Sequence, residues 1–206
     1  MKHIALILLF MCLGCKTEPK AKTEYQMGSE TDLEKQGEHE SGLHPSVSQI
    51  WNDYIAVNPE FKDKAVPESD FFHNNRADAD RLARLTLTGK KKASSGLYRL
   101  YKHYNVALPT VGAQQIVTDF DGKAMTIIEN VSVDTVPFHK ISEKYAAWDM
   151  GMDVNPLERW RKAHWAFFKD ALQEIGEQPT QEMPVVCVRF KTVWPKNTKV
   201  NRGDSK

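Results

Sequence analysis

The chain has 206 residues, with 28 Lys plus Arg against 27 Asp plus Glu, a net charge of +1, and 41% hydrophobic residues. So even a balance gives no global field that would draw the protein to nucleic acid or to an anionic surface, and any such contact must come from a local patch. Three cysteines in a chain of this size exclude a disulfide-rich scaffold.

The chain opens with Lys2 and His3, an apolar run from Ile4 to Leu13, then Gly14 and Cys15. A basic start before an apolar run too short to span a bilayer is the pattern of a secretory signal, here residues 1–14. The series Cys12, Leu13, Gly14, Cys15 resembles a bacterial lipobox, which implies lipidation of Cys15 and an exported, extracytoplasmic protein held to a bacterial membrane. Each buried methylene of the acyl chains contributes about 0.8 kcal/mol, so two or more chains give a stable anchor. Loss of Lys2 with the signal leaves 27 bases against 27 acids, and Cys187 as the remaining free thiol. Cys187 lies in the apolar run 184–188 and reads as a small core residue.

Residues 15–44 carry hardly any aromatic or branched apolar side chains between Lys16 and His44, and cannot offset their ordering entropy, so a flexible tether is expected. The tail 195–206 is similar and basic; its Arg202, Gly203, Asp204 tripeptide is too short to carry weight. Residues 45–194 suffice for one domain with a single sizeable core.

A first helix is expected from Ser46 or Ser48, with Val47, Trp51, Tyr54 and Ile55 on one face. A second runs from Arg76 to Thr88, capped by Asn74 or Asn75, and stops at Gly89. Lys90, Lys91, Lys92, Ala93, Ser94 and Ser95 then fill the following turn. Leu97, Leu100, Tyr101 and Tyr104 suit a short helix, with a strand as the alternative. The period then changes to two: Gln114 to Phe120 and Lys123 to Val136 read as strands joined by an Asp121–Gly122 hairpin turn. A short helix from Ile141 to Trp148 follows the Pro137–Phe138 corner. The longest helix is capped by Asn155, carries Pro156 in its first turn, ends at Gly176, and buries Leu157, Trp160, His164, Phe167, Phe168, Ala171 and Ile175. A last strand covers Met183 to Val193. Helices and strands that do not alternate regularly point to an α+β fold.

Chemistry concentrates after the second helix. Lysines and hydroxyls just past a helix end form an anion-binding and nucleophile-activating set, although lysines there also interact well with the negative end of the helix dipole and keep a surface solvated.

The order of pieces resembles the ASCH domain family. The residues that carry the likeness are Trp51, Asn58 and Pro59; Ala77, Asp78, Leu82 and Ala83; the Gly89, Lys91, Ala93, Ser94 turn; and Leu108, Pro109, Val111 and Gly112. It continues through Val136, Pro137 and Phe138, through Trp160, Arg161, His164, Phe167 and Phe168, and through Met183, Pro184, Val185, Val186, Cys187 and Phe190. The resemblance implies a PUA-like small β-barrel with flanking helices, in a superfamily associated with RNA and modified nucleosides. Some small ASCH proteins are acetylcytidine amidohydrolases, and others have been assigned ribonuclease activity. The amidohydrolase set of lysine, threonine and glutamate falls here on Lys91, Ser94 and Asp149. In that scheme Lys91 is the base, helped by the neighbouring charges of Lys90 and Lys92, Ser94 Oγ attacks the acyl carbon, and Asp149 orients the lysine or passes a proton to the leaving amine.

One departure bears on activity. Where longer relatives carry Glu, Gly, Glu, Gly, Asp, this chain has Asp149, Met150, Gly151, Met152, Asp153. Shortening the first acid withdraws its carboxylate by about 1.5 Å, a displacement that can cost about a hundredfold in rate. Lys90, Lys92 and Arg161 are candidate ligand-binding residues; Arg161 suits a phosphate or a pair with Asp153. His164 reads as a packed histidine, and Trp148, Tyr98, Tyr101 and Tyr104 suit a core or a stacked base. No structural metal or cofactor is expected. Two readings remain open: hydrolysis of an amide or acyl bond on a nucleoside-like molecule, and binding of a nucleotide, single-stranded RNA or other anion without turnover. An exported location makes ribonuclease action on cellular RNA the weaker choice.

Overall fold

A computed structural model describes residues 43–195. The expected signal, Cys15, residues 15–42 of the tether and residues 196–206 of the tail lie outside the described residues. Among those described, no helix is long and apolar enough to cross a membrane.

Helix α1 spans Pro45–Val57 and starts one residue before the expected serines, because Pro45 supplies a ready-made first turn and His44 Nδ1 accepts from Ser46 N at 3.2 Å. Ser46 instead braces the fold: its Oγ accepts from Ala124 N at 2.8 Å. A short 3-10 turn, Pro59–Phe61, and the two-residue strand β1, Ser69–Asp70, follow; neither carries a sequence pattern that announces it. Helix α2, Arg76–Leu87, is capped by Asn75 Oδ1, which accepts from Asp78 N at 3.0 Å.

The chain then departs from the expected turn. Gly89 adopts φ 69°, and the amides of Lys90 and Lys91 both donate to Leu85 O, at 2.9 and 3.0 Å, which satisfies the end of α2 within three residues. Ser94 and Ser95 therefore lie not in the turn but in strand β2, Ala93–Leu97. Tyr98–His103 forms helix α3 and not a strand. The hairpin β3, Gln114–Thr118, and β4, Ala124–Pro137, turns at Gly122 with φ 82°. After a 3-10 turn at Phe138–Lys140 come α4, Glu143–Met150, and α5, Pro156–Gln173; β5, Pro184–Trp194, closes the domain.

The strands form one mixed sheet in the order β1-β3-β4-β5-β2, with β1 parallel to β3 and the other pairs antiparallel. The fold is α+β as expected. Closure of the expected barrel is not detected: among the described strands β1 and β2 stand at the two ends of the order and are not paired with each other. Alternation along β3 and β4 assigns the faces: Ile116 and Ile127 pack under α1 with Val47, Trp51 and Tyr54, while Val117 and Ile128 pack with Leu82 and Ala83 of α2. The third and largest cluster joins β2 and β5 to α4 and α5 through Leu97, Phe138, Trp160, Phe168, Val185 and Cys187. Each such large side chain contributes about 1.5–3 kcal/mol, enough to hold α4 and α5 against the edge of the sheet.

Gly151 ends α4 at φ 63°, and a Cβ there would stand 3.2 Å from Leu85 Cδ1 and 3.3 Å from Lys91 N. Two turns therefore meet at this glycine, the one after α2 and the one after α4. Gly151→Ala should destabilise the domain by about 1–2 kcal/mol, read from urea denaturation; an unchanged midpoint would contradict this account of the junction.

Candidate functional site

Lys91, from the turn after α2, and Asp149, from the last turn of α4, meet in the interior, each 3% exposed. Lys91 is drawn inward because the Gly89 turn reverses the chain and the extension beyond it is pinned on both sides: Lys92 N donates to Trp148 O at 2.8 Å and Phe190 N to Lys92 O at 2.9 Å. Lys91 Nζ donates to Asp149 Oδ1 at 2.5 Å and to the Asp149 main-chain carbonyl at 2.8 Å, and lies 4.9 Å from the centre of the Phe72 ring. The other carboxylate oxygen, Oδ2, accepts from Ser95 Oγ at 2.5 Å and from Trp160 Nε1 at 2.8 Å, with His164 Nε2 at 3.4 Å. His164 stacks on Trp160 with ring centres 4.2 Å apart, and its Nδ1 lies 3.0 Å from Trp160 O.

Burial by itself pushes the Asp149 carboxyl up, but the charges of Lys91 and His164 and their hydrogen bonds outweigh it and hold the group well below its ordinary value. A carboxylate held that low is a weak proton acceptor. It is suited to orienting Ser95 and less to deprotonating it.

The structure thus unites Lys91 with Asp149, but the hydroxyl it adds is Ser95. Ser94 pairs with Val188 and Ser95 with Cys187 across β2 and β5, so their side chains point to opposite faces of the sheet. Ser94 contributes its carbonyl, which accepts from Tyr145 OH at 2.7 Å. With the Tyr145 proton so used and the Ser95 proton on Asp149, the 3.1 Å contact between the two hydroxyls has no proton of its own, and Ser95 Oγ keeps lone pairs to offer. Burial and the Asp149 charge push the Tyr145 phenol well above its usual range, so it stays a donor. Burial also pushes the Cys187 thiol up to about 12; this thiol is a packed core group, not a nucleophile.

Ser95, Tyr145, Trp160 and His164 are the members that the sequence alone did not place here. A period-two reading of Lys91, Ala93, Ser95 and Leu97 selects Ser95 as the hydroxyl on the lysine's face. Helical spacing of four does the same for Tyr145 and Asp149.

Lys90 and Lys92 are exposed at the turn, and Lys92 is tied by its backbone to Trp148. Arg161 forms no ion pair with Asp153; its Nη2 donates to His139 O at 3.2 Å. It lines two shallow hollows, one of about 380 Å³ with Glu143 and Glu158 and one of about 410 Å³ with Phe138 and Trp165. Neither includes Lys91, Ser95 or Asp149, so Arg161 is not part of this cluster.

Within residues 149–153 the Asp149 side chain reaches Lys91 directly, and position 151 is the left-handed end of α4 pressed against Lys91 N, a place fitted to glycine.

The ASCH domain profile matches residues 68–194. The chain belongs to the ASCH domain family. A crystal structure of an ASCH domain from Lactobacillus crispatus JV V101 is 31% identical, covering 73% of this chain and 96% of that one, with a TM-score of 0.68. Protein EF3133 from Enterococcus faecalis V583 is 27% identical, covering 72% and 88%, with a TM-score of 0.65. No curated protein matches this ASCH chain.

Removing the charge of Asp149 leaves Lys91 buried without its counter-ion, a change that costs about 3–5 kcal/mol. Folded Asp149 takes up a proton less readily than an unfolded aspartate, whose ordinary value is 3.8. Its stabilisation is therefore complete above that value and is lost as the pH falls below it. Wild-type protein should lose stability steeply below about pH 4, and Asp149→Asn should be weaker throughout with a flatter acid limb. Parallel acid limbs in urea titrations of the two proteins would remove Asp149 as the cause.

Proposed function

We propose that this ASCH domain binds a nucleoside-like or RNA-derived ligand at Ser95, held on the extracytoplasmic face of a bacterial membrane by lipidated Cys15. The observation that carries the binding reading is the partly buried Ser95, whose hydroxyl is fixed by the buried Lys91–Asp149 ion pair behind it and keeps acceptor lone pairs. A preorganised polar group of this kind discriminates among ligands because it need not be ordered on binding. The family's association with modified nucleosides, carried over from the sequence resemblance, supplies the ligand class.

A second reading, hydrolysis of an acylated nucleoside, is favoured by the convergence of ammonium, carboxylate and alcohol. Ser95 Oγ, in place of the expected Ser94, attacks the acyl carbon and forms an acyl-enzyme. The departing amine takes a proton passed through Asp149, and water then releases the acid. Lys91 donates to Asp149 in this arrangement and acts by holding it, which replaces the role of base expected from the sequence. The depressed basicity of Asp149 makes the proton transfer slow, so binding is placed first.

Calorimetric titration of residues 15–206 with cytidine should give saturable binding. Loss of one hydrogen bond to a ligand costs about 1.4 kcal/mol or about tenfold, so Ser95→Ala should weaken binding by that factor and Ser94→Ala should leave it unchanged. In the hydrolytic case acetylcytidine should release acetate, again dependent on Ser95 and not on Ser94. Equal effects of the two substitutions would sink the assignment of Ser95. For the anchor, cells expressing the full chain should incorporate labelled palmitate, and Cys15→Ser should abolish the label; an unlabelled wild-type protein rules lipidation out.

A further inference from the structure

Beside the Ser95 site stands a group of charges that the site itself does not use. On α4, Tyr145 and Asp149 point into the buried network, and Lys144 and Trp148, each one residue earlier, point about 100° to the side. The Arg189 guanidinium carbon lies 4.3 Å from the centre of the Trp148 ring, and Lys144 Nζ lies 5.0 Å from the same centre. Arg189 pairs with Ala93 in the register that pairs Cys187 with Ser95, so it belongs to the same face of the sheet, about 7 Å along the strand.

A single arginine on a tryptophan is an ordinary surface contact, worth about 0.5–1 kcal/mol. Two cations on one ring are not explained by that. They stand within about one Debye length of each other, and among the described residues neither Lys144 nor Arg189 forms an ion pair with a carboxylate. The acid on the neighbouring strand, Asp134, is opposite Cys187 in register, while Arg189 is opposite Ser132. With no carboxylate partner, both side chains keep their donors free beside the Trp148 ring, and guanidinium and ammonium donors together match the oxygens of a phosphate.

We infer that the ligand carries a phosphate: Arg189 and Lys144 around Trp148 form an anion subsite beside Ser95, and the molecule bound is a nucleotide and not a free nucleoside. This deepens the proposed function and rests on it. Ser95 meets the sugar or base edge, and the phosphate sits against Lys144 and against Arg189, two residues along the strand pair.

The test compares cytidine, cytidine 5′-monophosphate and inorganic phosphate by calorimetry on residues 15–206 at low and high salt. The monophosphate should bind at least about tenfold more tightly than cytidine, and that advantage should shrink as salt rises. Arg189→Gln and Lys144→Gln, both at exposed positions, should keep the wild-type melting curve and reduce the advantage to within about threefold, with cytidine affinity unchanged. Equal affinity for the two ligands overturns the inference while leaving the Ser95 reading in place. A phosphate advantage that survives both substitutions also overturns it, because the phosphate then sits elsewhere. If inorganic phosphate binds in an Arg189-dependent way but cytidine does not bind at all, the anion subsite stands and the nucleoside reading falls.

Discussion

The ion pair between Lys91 and Asp149 fixes where everything else at this end of the domain can be. It joins the turn after α2 to the end of α4, two places 58 residues apart in the chain. Taking both charges out of water costs several kcal/mol per ion before their attraction is counted. The arrangement is tolerable because the carboxylate and the ammonium are saturated with partners: two donors on one oxygen, the lysine on the other, and a main-chain carbonyl and an aromatic face for the ammonium. An ion pair of that kind is weak evidence for net stability. Its value lies in specificity, since any slip of α4 along the sheet would strand a buried charge.

The apolar packing supplies the stability that the pair does not. Trp160 is the link between the two roles, because its ring fills the core against Phe138 while its indole nitrogen donates to Asp149. The same side chain therefore positions α5 and completes the polar network. Gly151 makes the close approach possible at the other side, where any larger residue would press on Lys91 N.

For chemistry, the saturation of Asp149 has a direct consequence. A carboxylate surrounded by a cation and several donors gives up its affinity for protons, so the network orients groups well and moves protons poorly. That balance suits recognition better than rapid turnover, which is why the proposed site is centred on Ser95, a partly buried member of the network held by a bond to Asp149. Lys144 and Trp148 lie on the next strip of α4, so this helix carries both the Arg189 contact and two members of the buried network, Tyr145 and Asp149.

Local signals in the sequence were enough for the helices at 76–87 and 156–173, the hairpin at 114–137 and the last strand, because the Asn75 cap, Pro156, Gly122 and alternation act within a few residues, although Asn155 makes no side-chain capping bond. Lys91 and Asp149 were singled out by the family resemblance and not by a local signal, and the fold brings the two together. Tertiary structure alone decided three things. It made β2 from a stretch that reads as a turn, because Ala93–Leu97 has a partner in β5 that no local rule supplies. It set the strand order β1-β3-β4-β5-β2. It chose Ser95 over its neighbour, because in a strand a shift of one residue sends a side chain to the other face, and only pairing fixes which face meets the buried charges.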